Sequence, residues 1–204
     1  MAGVQVGLKN LYYAVLTKDD ATGVSYLAPV KIAGAINAKI SPKSNTEVLY
    51  ADDGPDETAT ALGEIDVEFE AKDISLADQA ALLGHSIVGG VMLKKATDTA
   101  PYVALGFMSK KSNGQYRYIW LTKGMFALPD QEYATGEDKP KFQTPKLKGT
   151  FVKRAYDDLW QRIADEDHPD YVASIGANWF NSVEGTADTT PPTVTVVPAN
   201  NATG

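Results

Sequence analysis

Glu64-Ile65-Asp66-Val67-Glu68-Phe69-Glu70-Ala71 alternates acidic and apolar residues over eight positions. Successive side chains of a β-strand point to opposite faces, so a period of two predicts a strand whose Ile65, Val67 and Phe69 pack inward. Its other face is then purely carboxylate: Glu64, Asp66, Glu68 and Glu70. The surrounding sequence shares that charge. Residues 44–71 hold nine acids and no lysine or arginine, which leaves 17 of the chain's 26 acids against 19 bases elsewhere. One segment carries the acidity of a chain of formal charge -7, and such asymmetry implies a strongly solvated edge or a field that acts on something.

Immediately downstream, Ser75 has the chemistry of an N-cap with Asp78 three residues on. Leu76, Ala80 and Leu83 recur at helical spacing, and Gly84 supplies a C-terminal stop. Upstream, residues 11–16 and 24–30 are β-rich runs joined by Lys18-Asp19-Asp20-Ala21-Thr22-Gly23, a hairpin. Residues 31–41 give a third strand that Pro42 is expected to end by removing a ladder donor. From 42 to 63 the composition turns to Ser, Asn, Thr, Asp, Gly and Pro, which reads as a long flap. Further on, residues 102–109 and 115–121 flank Lys110-Lys111-Ser112-Asn113-Gly114, and Asn-Gly is a strong hairpin signal. Residues 123–127 continue the sheet, 129–140 form a polar excursion, and 145–155 return to it.

Tyr156, Leu159, Trp160 and Ile163 fall at i, i+3, i+4 and i+7, which predicts a helix over residues 157–165. Pro169 opens a second helical turn with Tyr171, Ile175 and Trp179. The fold class is therefore mainly β, with a flanking α-helix and a C-terminal helical segment. It forms one domain over residues 1–183 with a flap at 42–63, followed by an extended Thr/Pro-rich tail at 184–204.

Composition narrows the chemistry. With no cysteine in 204 residues, disulfide frameworks and thiolate chemistry are excluded. No apolar run reaches the ~18 residues of a membrane span, and the N-terminus lacks the pattern of a signal peptide, so synthesis in a cytoplasm and no membrane partner are expected. The acidic balance opposes DNA binding by counterion release. Only His85 and His168 are available as imidazole bases. Gly84-His85-Ser86-Ile87-Val88 lacks the second glycine of a nucleophile elbow, so it reads as a helix end and turn. His168 reads as a surface turn residue. Asp52-Asp53-Gly54-Pro55-Asp56-Glu57 lacks the spacing of a calcium loop. No phosphate-binding loop or metalloprotease motif occurs. No catalytic residue, metal or cofactor is expected. Tyr116, Tyr118 and Trp120 alternate along one strand. They read as a packed face or, alternatively, as the platform of a monomeric ligand- or carbohydrate-binding module.

Several segments, in order, resemble the major tail protein family of long, flexible-tailed bacteriophages. They are Leu49-Tyr50-Ala51-Asp52-Asp53-Gly54-Pro55, Leu82-Leu83-Gly84-His85, Ile119-Trp120-Leu121-Thr122-Lys123-Gly124-Met125-Phe126, Phe142-Gln143-Thr144-Pro145, and Leu147-x-Gly149-Thr150-Phe151. The resemblance spans residues 7–183. It implies a β-sandwich or half-barrel flanked by the helix, and a structural virion protein made in the host bacterial cytoplasm and resident in the phage tail. Six copies would close a ring, and rings would stack into the tail tube. The implied partners are other copies of the chain, a tape-measure protein, and the terminator and distal tail proteins, with DNA as non-adhesive cargo. On that basis Glu64, Asp66, Glu68 and Glu70 are expected to line the lumen and repel DNA. The flap residues Leu49, Tyr50, Asp52, Asp53, Asp56 and Glu57 are expected to meet the next ring. Lys110, Lys111, Lys139, Lys141, Lys146 and Lys148 are the expected partners of the flap's acids.

Overall fold

The alternating stretch forms the strand it predicts, within a longer one. The computed structural model describes residues 3–51, 54–130 and 144–184, with residues 45–51 and 54–60 described by their backbone. The fold is mainly β and sandwich-like, with two short helices. In chain order the strands are β1 (Gln5–Asp20), β2 (Gly23–Tyr26), β3 (Val30–Ile32), β4 (Ala35–Ala51) and β5 (Gly54–Ala71). Helix α1 (Leu76–Leu83) follows, then β6 (Ser86–Val88), β7 (Val91–Leu93), β8 (Val103–Lys111), β9 (Tyr116–Phe126), β10 (Lys146–Phe151), β11 (Gln161–Asp165) and α2 (Ala173–Asn178). One sheet runs β2-β1-β8-β9-β10-β5-β4, with β3 added to β1 and β11 to β9, while β6 and β7 form a separate two-stranded ribbon. All pairings are antiparallel.

The middle of this sheet is buried on both faces, and strand alternation assigns each side chain. On one face Leu11 and Tyr13 of β1, Leu105 and Phe107 of β8, and Ile119 and Leu121 of β9 join Ile65, Val67 and Phe69 of β5 under Leu82 and Leu83 of α1. Ala14, Ala104, Tyr118 and Trp120 occupy the opposite face beneath Trp179 and Val183 of the C-terminal segment. Helix α1 is capped as its sequence demands. The Ser75 hydroxyl accepts from the Asp78 N–H at 3.1 Å, and Gly84 takes the left-handed conformation at φ 74 while its N–H reaches the Ala80 carbonyl. A Cβ at Gly84 would also stand 2.1 Å from the Thr99 carbonyl oxygen. Gly84→Ala is therefore expected to cost about 2–3 kcal/mol, a fall of roughly 4–12 °C in Tm read by thermal denaturation.

Three local expectations change. Pro42 does not end its strand: β4 runs through it with a bulge between Pro42 and Ser44. Proline is tolerated there because the far side of β4 is an edge with no ladder partner among the described strands. The flap is not an irregular loop either. Backbone pairing continues from Ser44↔Leu62 to Ala51↔Gly54, so β4 and β5 extend past the sheet as a two-stranded ribbon. Residues 157–165 are not a helix. Gln161–Asp165 pairs with β9 from Leu121 to Arg117, because β10 covers only the Gly124–Phe126 end of that edge and the ladder groups of residues 117–121 need partners. Residues 131–143, which include most of the polar excursion expected at 129–140, and residues 185–204 of the expected tail lie outside the described residues.

Candidate functional site

The carboxylate face of β5 is flanked on both sides, and register decides its charge. Directly paired residues of antiparallel strands share a face. Glu70 lies between Asn37 of β4 and Lys146 of β10, Glu68 between Lys39 and Lys148, and Asp66 between Ser41 and Thr150. The Lys43 ammonium sits 2.9 Å from the Asp66 carboxylate, and Lys146 is 3.7 Å from Glu70. The Thr144 hydroxyl donates to Glu70. Its hydrogen bond and attraction to Asp66 raise the Lys43 ammonium above the ordinary lysine range. Lys39, Ser41, Asp66, Glu68, Lys148 and Thr150 line an open cleft of about 380 Å³ on this face.

The strand's outer face is therefore all carboxylate, but the sheet's outer face is not. Lys39 and Lys148 flank Glu68, Lys43 pairs with Asp66 and Lys146 stands beside Glu70. The carboxylates of β5 are thus interleaved with four lysines from the flanking strands, four acids to four bases. Exposed pairs of this kind contribute only ~0–1 kcal/mol each, so folding gives little reason to assemble eight charges here. The lysines had a signal in the sequence. Lys39-Ile40-Ser41-Pro42-Lys43 and Lys146-Leu147-Lys148-Gly149-Thr150 both carry polar residues at the two-residue spacing of a strand face.

The other expected site residues fare differently. Asp52 and Asp53 lie outside the described residues. Leu49, Tyr50, Asp56 and Glu57 are placed by backbone alone, in the ribbon pairs Leu49↔Glu57 and Tyr50↔Pro55 with Asp56 between them. Among the lysines proposed to meet the flap, Lys139 and Lys141 are outside the described residues and Lys110 is exposed. Lys111 is not available to a neighbour. Its side chain is 1% exposed and its ammonium is held by Asp165 and, at 2.7 Å, by Asp167.

Tyr118 and Trp120 form a packed face, not a platform. The Trp120 indole N–H donates to the Trp179 carbonyl at 3.0 Å, and the Tyr118 hydroxyl donates to Glu166 at 2.8 Å. Burial and that carboxylate raise the Tyr118 phenol above its ordinary value. Phe180 covers the stripe, with its ring 6.0 Å from Trp120 and 6.4 Å from Tyr118. His85 closes α1, and its Nδ1 lies 2.8 Å from an Asp98 carboxylate oxygen. That oxygen also accepts the Lys95 N–H, which ties the base of the β6–β7 ribbon together. His168 is an exposed turn residue whose Nδ1 accepts the Asp170 N–H. No cluster of three or more metal-ligating side chains occurs among the described residues. No helix among them is long and apolar enough to cross a membrane.

No protein-family model and no curated protein matches the chain. Among solved structures it is similar to a chain of the anti-feeding prophage (AFP) baseplate, determined by cryo-EM with six-fold symmetrisation. That alignment has a TM-score of 0.40 and 9% identity, and covers 82% of this chain and 100% of the other. At that score the likeness carries no weight for function, which is argued from this chain's own geometry.

Proposed function

We propose that this chain is a structural virion protein of the tail-tube type, six copies of which close a ring while stacked rings form a conduit for DNA. The observation that carries this reading is the β4–β5 ribbon. Strands of 17 and 18 residues continue past the sheet into a ladder with no other partner strand among the described residues. β4 adds a long open edge. An isolated two-stranded ribbon is marginal in water, and an open edge invites pairing with another chain. Both features fit a protein completed by its neighbours. In this reading Leu49, Tyr50, Asp52, Asp53, Asp56 and Glu57 meet the adjacent ring. The tape-measure, terminator and distal tail proteins are its further partners.

The face carrying Glu64, Asp66, Glu68 and Glu70 lines the conduit, and its charge balance defines how DNA passes. DNA carries one negative charge per ~1.7 Å of axis, so unopposed lysines would grip it at every ring. A carboxylate beside each lysine removes the net attraction, and the hydrated surface lets the duplex slide. Electron microscopy of the concentrated protein tests the assembly: stacked six-fold rings are expected, and a monomer at every concentration and salt overturns the reading. The face has its own test. Tubes of the E64Q/D66N/E68Q/E70Q variant leave the lysines unopposed and are expected to retain short duplex DNA at low salt and release it as salt rises. Wild-type tubes should not retain it. Equal retention by both would reject the conduit assignment.

A further inference from the structure

The β6–β7 ribbon is an apolar hairpin that no apolar partner covers among the described residues. Ile87, Val88, Val91 and Leu93 are all exposed, Val88 to 63% and Val91 to 59%. The tip is Gly89-Gly90, and no charge occurs from Ser86 to Leu93. Lys94 and Lys95 follow at once, and neither is in a salt bridge among the described residues. Contiguous exposed apolar surface rimmed by charge marks an interaction site.

A second patch has the opposite charge. Val172, 57% exposed, is the extended N-cap residue of α2, and Ile175, 39% exposed, stands in its first turn with its N–H on the Val172 carbonyl at 2.9 Å. Beside them the Asp170 side chain is 91% exposed, and among the described residues its one side-chain partner is the His168 imidazole at 3.8 Å. The two patches cannot meet within one chain. The ribbon leaves the end of α1, which packs on one face of the β1-β8-β9 sheet, whereas the α2 segment packs on the other.

We infer that the β6–β7 ribbon of one copy docks on the α2 face of the next, with Val88 and Val91 against Val172 and Ile175 and with Lys94 and Lys95 facing Asp170. This rests on the ring reading above and names the contact that closes the ring. Two different patches on opposite sides of a subunit make a heterologous, head-to-tail contact, which gives a closed ring when the rotation per copy closes. Apolar burial supplies the affinity, and the charge pair fixes which surface is met.

Sedimentation velocity on the full-length chain tests the contact with three variants: V88K/V91K, K94E/K95E, and K94E/K95E/D170K. All changes are at exposed positions, and circular dichroism checks that each variant is folded. V88K/V91K is expected to remain a folded monomer where wild type assembles. K94E/K95E is expected to need about tenfold more protein to assemble, and adding D170K to restore the wild-type threshold. Assembly of V88K/V91K at the wild-type threshold overturns this contact but leaves ring formation standing, as does failure of D170K to rescue. A wild-type monomer that instead floats with anionic phospholipid vesicles, and does not when Val88 and Val91 are lysine, overturns both readings in favour of a lipid surface.

Discussion

Replacing residues 46–60 by an Asn-Gly turn is expected to give a folded monomer that no longer forms tubes at any concentration. The cut falls where pairing is simple, between Asn45 and its partner Ala61. It spares the buried residues that hold the strands together, since the core members of β5 begin at Ile65 and those packed from β4 are Ala35, Ala38 and Ile40. Two-residue Asn-Gly loops match the twist of an antiparallel pair. Thermal stability should therefore stay within about 1 kcal/mol of wild type, or roughly 4 °C in Tm. Assembly should be lost outright, because the ladder removed is the one with no other partner strand among the described residues. Electron microscopy and scanning calorimetry on the same sample separate the two effects. Normal tubes from the shortened chain would show that the ribbon does not join rings. A fall in Tm well beyond the stated range would show that it folds back on its own sheet.

The elements read correctly from sequence are those whose signals are local. The period-two pattern at 64–71, the Ser75 and Gly84 caps of α1 and the Asn113-Gly114 turn each bind groups within a few positions of one another. β11 was hidden for the opposite reason. Leu159, Trp160 and Ile163 satisfy a helical spacing, but the hydrogen-bonding groups of β9 residues 117–121 lie about 45 positions earlier in the chain and override it. The flap's polar composition suggested a loop because nothing local shows that residue 44 pairs with residue 62. The lysines beside the candidate site were hidden in the same way. Its acids alternate within one eight-residue stretch and are therefore conspicuous, while the lysines beside them come from β4 and β10, and only the register of the finished sheet brings the three strands together. Lys111 likewise looks like a surface lysine until the turn after β11 is folded over it.

Balanced charge also changes the physics asked of a conduit. A purely acidic wall repels DNA over a screening length of about 8 Å and weakens as salt rises. A balanced wall has little long-range field, so its slipperiness should persist across salt concentrations. Passage through wild-type tubes is thus expected to depend weakly on ionic strength. The net charge of -7 per chain is carried elsewhere on the subunit, where it acts on solubility and on contacts between copies.

Asp165→Asn is expected to cost about 2–4 kcal/mol at neutral pH and to flatten the acid limb of the stability curve. The Asp165 carboxylate accepts from the Lys111 ammonium and from the Asp167 N–H at 3.0 Å, and pairs with Arg117 at 2.6 Å. Burial pushes this carboxyl up, yet those donors outweigh it and bring it down to about 2 from an ordinary 3.8. A group held lower in the folded chain than in the unfolded one stabilises the fold fully above the unfolded value. That contribution disappears as pH falls from about 4 toward 2, and for this group it amounts to about 2 kcal/mol. The asparagine variant lacks a group to protonate, so its curve should lose that part of the slope. It also strips the buried Lys111 of one counter-charge, which is the costly way to break a buried pair. Lys111→Met alone removes the buried cation, and combined with Asp165→Asn it should cost less than the two separate losses added together, since they share one interaction. Urea unfolding at pH 7 and pH 3 measures all four proteins. Simple additivity, or an unchanged acid limb in Asp165→Asn, would show that the cluster does not act as a unit. The stakes reach assembly, because Asp167 also accepts from Lys111 and Asn113 at the turn leading into α2. Under the docking contact inferred above, acid is therefore expected to weaken assembly before it unfolds subunits.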